Sequence, residues 1–195
     1  MNKYINKKFN EEDIKLLSSL IGQKITSLHH DEFLLGNLSI QKIGIRTEDK
    51  IYALQTDYEY VDFLWGEEGV AGLHFVESDE EGLIVKATPP IKYVNETIND
   101  VLEDIIIVRD EIEEFENNVS MGVFKYDKGI VLAFNGHQIG IELDSWAAEM
   151  IKIFRSLDAV NKFTSLNFEW NNELLDPDYM FKVSRTEIHL KKPNN

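Results

Sequence analysis

The chain has 195 residues, no cysteine, and 35 acidic against 20 basic side chains, which gives a formal net charge of -15. The absence of cysteine excludes disulfides, thiolate nucleophiles and cysteine-based metal sites. The negative charge disfavours direct binding to nucleic acid or to an anionic membrane surface, because both repel an acidic protein.

A chain of this length with 43% apolar residues can build one hydrophobic core, so we expect a single domain over residues 1–195. Apolar runs such as residues 105–108 are too short to cross a bilayer. The basic start at residues 1–8 lacks the apolar run that follows it in a signal peptide. These features predict a cytoplasmic location and no membrane contact.

The first predicted element is an amphipathic helix over residues 11–21. Asn10 suits the N-cap, acidic residues 11–13 suit the positive end of the helix dipole, and Gly22 suits the C-terminal end. One face of this helix is apolar: Ile14, Leu17, Leu20 and Ile21. We expect that face to pack on a sheet.

After this helix the hydrophobic period changes to two, which predicts strands. We expect them at 24–30, 38–45, 51–61, 70–77 and 83–88. The polar turn 47–50 joins the second and third of these strands as a hairpin. Pro89 and Pro90 end the last one, since proline cannot donate to a ladder.

The segment 96–116 fits a helix face and a strand about equally well. Its β-branched cluster at 105–108 favours a strand. We therefore predict a short helical turn followed by a strand that begins at about residue 104.

The next segment predicts a three-stranded meander over 121–126, 130–134 and 138–143. Its turns would be residues 127–129 and Asn135-Gly136, a pair that suits a tight hairpin turn. Asp144 or Ser145 would then cap a helix over 145–158. The apolar face of that helix would be Trp146, Met150, Ile153, Phe154 and Leu157. Strands at about 165–170 and 180–190 would end the chain.

These elements together predict an α+β fold. We expect a single domain with a curled, mainly antiparallel sheet, on which the N-terminal helix and the late helix pack.

Acidic residues are concentrated in two stretches of the sequence. Residues 51–85 contain nine acids and neither lysine nor arginine, and residues 96–116 contain nine more with Arg109 as the only base. If the two stretches are neighbours in the sheet, they form one strongly negative face.

Motifs for catalysis and for cofactor binding are lacking. There is no G-x-S-x-G elbow, and the glycines at 66, 69 and 72 have the wrong spacing for a dinucleotide loop. Residues 29–32 (His-His-Asp-Glu) and His74 with Glu77 offer metal-ligand types. Adjacent histidines on a strand, however, point to opposite faces. We therefore predict no catalytic residue, no metal and no cofactor.

Aromatic and acidic side chains alternate around the predicted strand 51–61 and the glycine-rich turn that follows. The candidate binding face is Tyr58, Tyr60, Trp65, Glu67, Glu68, His74, Glu80 and Glu81. Rings beside carboxylates can bind a cationic group on a partner. The same pattern also fits a strand whose tyrosines simply face the core.

The charge pattern favours a non-catalytic interaction protein whose acidic face binds a basic protein, like an immunity protein or an inhibitor. The alternative is an enzyme or a small-ligand-binding protein. Its site would lie in the curl of the sheet, lined by Tyr58, Tyr60, Trp65 and His74. The sequence makes no prediction about the oligomeric state.

Overall fold

The computed structural model describes residues 3–32, 37–63, 66–85, 90–170 and 178–191. Most of these residues lie in strands, which form one sheet of seven strands and one of five. Every strand pair is antiparallel except β1 with β9.

The larger sheet has the order β12-β8-β9-β10-β11-β3, and β1 lies parallel against β9. Its strands are β1 (Lys3–Lys7), β3 (Leu38–Ile40), β8 (Asp104–Glu116), β9 (Val119–Phe134), β10 (His137–Leu143), β11 (Met150–Ser156) and β12 (Tyr179–His189).

The smaller sheet has the order β6-β5-β4-β2-β7. Its strands are β2 (Lys24–Asp31), β4 (Lys42–Arg46), β5 (Ile51–Phe63), β6 (Gly66–Ser78) and β7 (Tyr93–Val101).

Two short helices accompany the sheets: α1 (Glu11–Ser19) and α2 (Leu166–Glu169). Helix α1 begins with a capping box, in which the Asn10 side chain accepts from the Asp13 amide and the Asp13 carboxylate accepts from the Asn10 amide. A single 3₁₀ turn, Val160–Lys162, precedes α2.

One hydrophobic core joins the two sheets. Phe63 and Phe75 enter it from the smaller sheet, and Phe124 and Tyr126 enter it from the larger one. The ring centroids of Phe63 and Phe124 are 5.4 Å apart. The elements and their pairing confirm the α+β class and the mainly antiparallel arrangement. The strands are divided between two sheets.

Several predicted elements agree closely with the structure. Helix α1, strand β2 and the strand that begins at residue 104 all lie where the sequence predicts them. The predicted hairpin with β5 is present, but the predicted strand 38–45 is divided at Gln41, with φ of 63°, into β3 and β4, which belong to different sheets. Gly136 follows Asn135 between β9 and β10 with φ of 81°, the left-handed conformation that a tight turn requires.

The predicted turn at residues 127–129 is wrong, because β9 runs without a break from Val119 to Phe134. The pairing with β8 shifts at this point, where Val108 pairs with Gly129 and Arg109 pairs with Asp127. Lys128 is thus the extra residue of a β-bulge. The polar pair Asp127-Lys128 reads as a turn in the sequence, but both side chains are buried in ion pairs.

The predicted helix over 145–158 is also wrong. Residues 150–156 form β11, which pairs with β10, and Leu157 is 80% exposed rather than part of an apolar face. Strand β10 offers a free edge, and burial of Ile151 and Ile153 follows a period of two. The late helix exists as α2, at the place where we expected a strand over 165–170.

Two smaller predictions need correction. Residues 96–101 form the end of β7 rather than a helical turn. Residues 83–85 lie outside any strand, and the remainder of the predicted strand 83–88 lies outside the described residues.

The outer edge of β6 is covered by other parts of the chain. The Phe75 amide donates to Asp13 Oδ1 at 3.0 Å, and the Ala71 amide donates to the Trp146 carbonyl oxygen at 2.7 Å. These bonds fix the β5–β6 hairpin against α1 and against the segment that follows β10.

We predict that Phe124→Ala lowers the free energy of unfolding by about 3–5 kcal/mol, because Phe124 is fully buried among Phe63, Tyr126 and Trp170. Tyr60→Ala, a control on the exposed surface, should cost less than about 1 kcal/mol. Urea unfolding of both variants checks this. Equal losses would contradict the position of the core.

Candidate binding surface

The β5–β6 hairpin carries most of the residues that the sequence predicts for binding. Its strands pair over their whole length, from Ile51 opposite Ser78 to Phe63 opposite Gly66. We call residues 57–63 and 66–72 the hairpin tip. Four consecutive residues of β5, 57–60, are exposed there.

Tyr58 and Tyr60 face outwards at the tip, with 36% and 69% of their surface exposed. Their rings meet edge to face, with centroids 5.8 Å apart. The Tyr58 hydroxyl lies over Gly69, in the space that an added Cβ would occupy. The glycine thus allows the ring to lie across the neighbouring strand. The interpretation of these tyrosines as inward-facing core residues is wrong.

Glu67 lies on β6 opposite Asp62, on the face of the hairpin that carries the two tyrosines, and Glu68 lies opposite Val61, on the other face. Glu67 is exposed and Glu68 is half-buried. Among the residues that the structure describes, neither carboxylate has an ion-pair partner, whereas nearby Asp62 is bound by Lys3 at 2.9 Å. Within the described residues, the tip therefore presents two aromatic rings beside one uncompensated acid, Glu67, and a second such acid, Glu68, on its other face.

The structure does not bring all of the candidate residues together. Trp65 lies outside the described residues. His74 lies in the middle of the hairpin, opposite Gln55. Glu80 and Glu81 follow the far end of β6, and Glu80 binds Arg46 through both carboxylate oxygens. Eleven residues of extended strand, roughly 35 Å, separate Glu67 from the end of β6.

Lys7 neutralises two acids at the base of the tip. Its Nζ is 3.0 Å from Asp57 Oδ2 and 3.0 Å from Glu59 Oε1, and its side chain packs over Gly72. The hydrogen bond from Lys7 lowers the pKa of Asp57. These acids are thus held by the N-terminal strand and are not free for a partner.

His74 links the hairpin to helix α1. Its Nδ1 is 3.3 Å from Asp13 Oδ2, and its Nε2 is 3.6 Å from Asp57 Oδ2. Because Asp13 also caps α1 and binds the Phe75 amide, His74 stands at a structural junction. It lines a cavity of about 150 Å³ with Lys7 and Asp57, and neither Tyr58 nor Tyr60 borders that cavity.

The two acidic stretches do not form one face. Strands β5 and β6 lie at one edge of the smaller sheet, β7 lies at its opposite edge, and β8 belongs to the larger sheet. Many of their acids pair with bases that are distant in sequence. Examples are Lys3 with Asp62, Arg155 with Glu96, Arg185 with Asp110 and His189 with Asp104.

A buried ionic cluster around Lys128 was not predicted from the sequence. Its Nζ is 2.8 Å from Glu169 Oε2 and 3.6 Å from Glu142 Oε1, and all three side chains are nearly or fully buried. Burial raises the pKa of Glu142 despite the lysine. The only sequence signal is the charged pair Asp127-Lys128 inside an apolar run. The cluster attaches α2 to the bulge of β9, which is a structural role.

The histidines at 29 and 30 have partners other than a metal ion. His29 Nδ1 is 2.9 Å from Asn95 Oδ1, and its ring stacks on Tyr93. His30 Nε2 is 3.6 Å from Glu96 Oε2. Within the described part of the chain, no group of three or more histidines and acids has a geometry that could hold a metal ion.

Comparisons with protein-family models, with curated proteins and with solved structures find no match to this chain. In the described ranges, no helix is long and apolar enough to span a bilayer.

We predict that Glu114→Gln stabilises the protein at neutral pH. Glu114 lies on β8 in the second acidic stretch, but its side chain is buried, and burial raises its pKa. Because the pKa of Glu114 is higher in the folded state than in the unfolded state, the protonated side chain favours folding. This contribution to stability is lost as the pH rises through the folded-state pKa. The gain from glutamine should therefore be largest at neutral pH and shrink under acid conditions.

Glu113→Gln is the matched control, since Glu113 is a less buried neighbour on the same strand. Melting temperatures of both variants across the acid range check this. The same pH-dependent gain in both would contradict the assignment to burial of Glu114.

Proposed function

We propose that this protein is a non-catalytic binding protein that recognises a basic protein through its hairpin tip. The supporting observation is the combination at the tip of two exposed tyrosines and two acids for which the described residues supply no cationic partner: Glu67, on the face of the rings, and Glu68, on the opposite face. Other acids of the same stretch, including Asp57, Glu59 and Glu80, are bound within the chain.

The negative charge would attract the basic partner, and the tyrosine rings would contact it. The net charge of -15 attracts a basic partner over a distance of about 8–10 Å in physiological salt. Tyrosine rings then supply contact area, since aromatic residues dominate the energy of many interfaces and can contact cationic groups. The partner would be a protein with a basic, arginine- or lysine-rich surface, as for an immunity protein or an inhibitor.

The position of the tip supports this use. Its base is fixed by Lys7, by α1 through Asp13 and by the Trp146 carbonyl. A surface on a fixed scaffold loses little conformational entropy when it binds. The negative charge also favours a protein partner over nucleic acid or an anionic membrane.

We predict that Glu67→Lys with Glu68→Lys slows association with the partner by about tenfold, because rim charges act mainly on the association rate. Tyr60→Ala should instead increase the dissociation rate, since it removes contact area. The partner is first captured with the wild-type protein from an extract of the cells that make it. Surface plasmon resonance at two salt concentrations then gives both rates.

The matched control is Asp49→Lys with Glu81→Lys. It makes the same change in net charge at exposed positions near the other end of the hairpin. Since the two ends are several screening lengths apart, this control should leave the association rate nearly unchanged. Equal slowing by both double variants would mean that only net charge matters. An unchanged rate for the tip variant would overturn the proposal.

A further inference from the structure

Strand β12 has an edge that is open between Val183 and His189. The strand pairs with β8 in one register, in which the Leu190 amide donates to the Ile105 carbonyl and the Asn117 amide donates to the Asp178 carbonyl. Even-numbered residues therefore bond to β8, and the N–H and C=O groups of odd-numbered residues face away from it. Between 183 and 189, no described residue bonds to these groups.

Most other sheet edges in the described residues are short or protected. Strand β6 is covered by Asp13 and by the Trp146 carbonyl. Strand β7 itself contains a bulge, where Ile98 and Asn99 lie opposite Thr26 of β2, and Asn99 is left-handed with φ of 56°. Strands β1 and β3 have only five and three residues. Among the described strands, open edges remain at residues 57–63 of β5, which pair only with β6 at the hairpin tip, and at β12, which is the long outer strand of the larger sheet.

Charged side chains on an edge strand commonly block pairing with another chain. On β12 most of these charged side chains contact residues of the neighbouring strand β8. Lys182 lies over the Phe115 ring, Arg185 binds Asp110 at 2.7 Å, and His189 binds Asp104 at 2.6 Å. Glu187 remains exposed. The edge is thus straight and largely free of blocking charge.

We propose that β12 pairs antiparallel with β12 of a second copy of this chain, about a two-fold axis at Thr186. The odd-numbered residues of one copy, whose N–H and C=O groups face outwards, must pair with odd-numbered residues of the other copy. The two numbers in each pair then have an even sum, so the two-fold axis passes through a residue and not between two residues. An axis at Arg185 or Glu187 would place like charges opposite each other. An axis at Thr186 places Arg185 opposite Glu187 twice and pairs the open stretch 183–189 with itself.

This dimer would join the two larger sheets into one continuous sheet. It does not use the hairpin tip, so it is independent of the binding function proposed above. The two Thr186 residues would form a non-hydrogen-bonded pair at the axis, where Cα atoms are about 4.5 Å apart. That distance is within the range that a disulfide can bridge.

Because the chain has no cysteine, a single introduced thiol gives an unambiguous test. Thr186→Cys should form a disulfide-linked dimer under mild oxidation. Ser184→Cys, exposed on the same strand, is the matched control. In the proposed register its two copies are about 13 Å apart and cannot be bridged.

Sedimentation equilibrium of the wild-type protein should give twice the chain mass of 22.6 kDa. Glu187→Pro removes an outward N–H without removing a bond to β8, and should give a monomer. Glu187→Arg should also weaken the dimer by placing two arginines opposite each other, which provides a second test if the proline variant does not fold.

A monomeric wild-type protein would overturn the proposal. So would equally fast cross-linking of both cysteine variants, or a dimer that survives Glu187→Arg and shows no cross-link at residue 186.

Discussion

A carboxylate that is removed from water must be matched by a cation or by several hydrogen bonds, and this constraint organises the larger sheet. Asp110 and Asp127 are fully buried, and each accepts two hydrogen bonds from one arginine, Arg185 and Arg109. Asp127 also accepts from the Phe9 amide, so it connects the chain before α1 to β9. Burial still raises the pKa of Asp127, so removal of either arginine would leave a costly buried charge.

The same constraint explains the segregation of charge along the chain. Strands from the middle of the sequence supply the acids, and the two ends of the chain supply many of the bases. The fold therefore brings together acids and bases that are far apart in sequence. Lys7 reaches Asp57 across 50 residues, and Arg185 reaches Asp110 across 75. These acids thus mainly form ion pairs within the chain and are not mainly exposed to a partner. Two acids of the hairpin tip have no basic partner among the described residues: Glu67, on the face of Tyr58 and Tyr60, and Glu68, on the opposite face. They are the basis of the proposed function.

The sequence predicts well those elements whose signals are local. The Asn10 cap, the Asn135-Gly136 turn and the alternation in β5 depend on neighbouring residues alone. Predictions failed where a distant partner decides the conformation. The sequence of residues 150–156 fits a helix, but these residues form a strand that pairs with the edge of β10. The pair Asp127-Lys128 is typical of a turn, and only its ion pairs with Arg109 and Glu169 explain why it lies within a strand. For the candidate site, exposure of Tyr58 depends on Gly69 across the hairpin, and ion pairing of Glu80 depends on Arg46 of β4.

In the proposed function, recognition takes place at the hairpin tip and not over the acidic surface as a whole. Hydrogen–deuterium exchange, measured with and without the captured basic partner, distinguishes these two surfaces. We expect the partner to slow exchange of amides in residues 57–60 and 66–70, while exchange in β7 and β8 is unchanged. Slowed exchange in β7 or β8, with the tip unaffected, would contradict it.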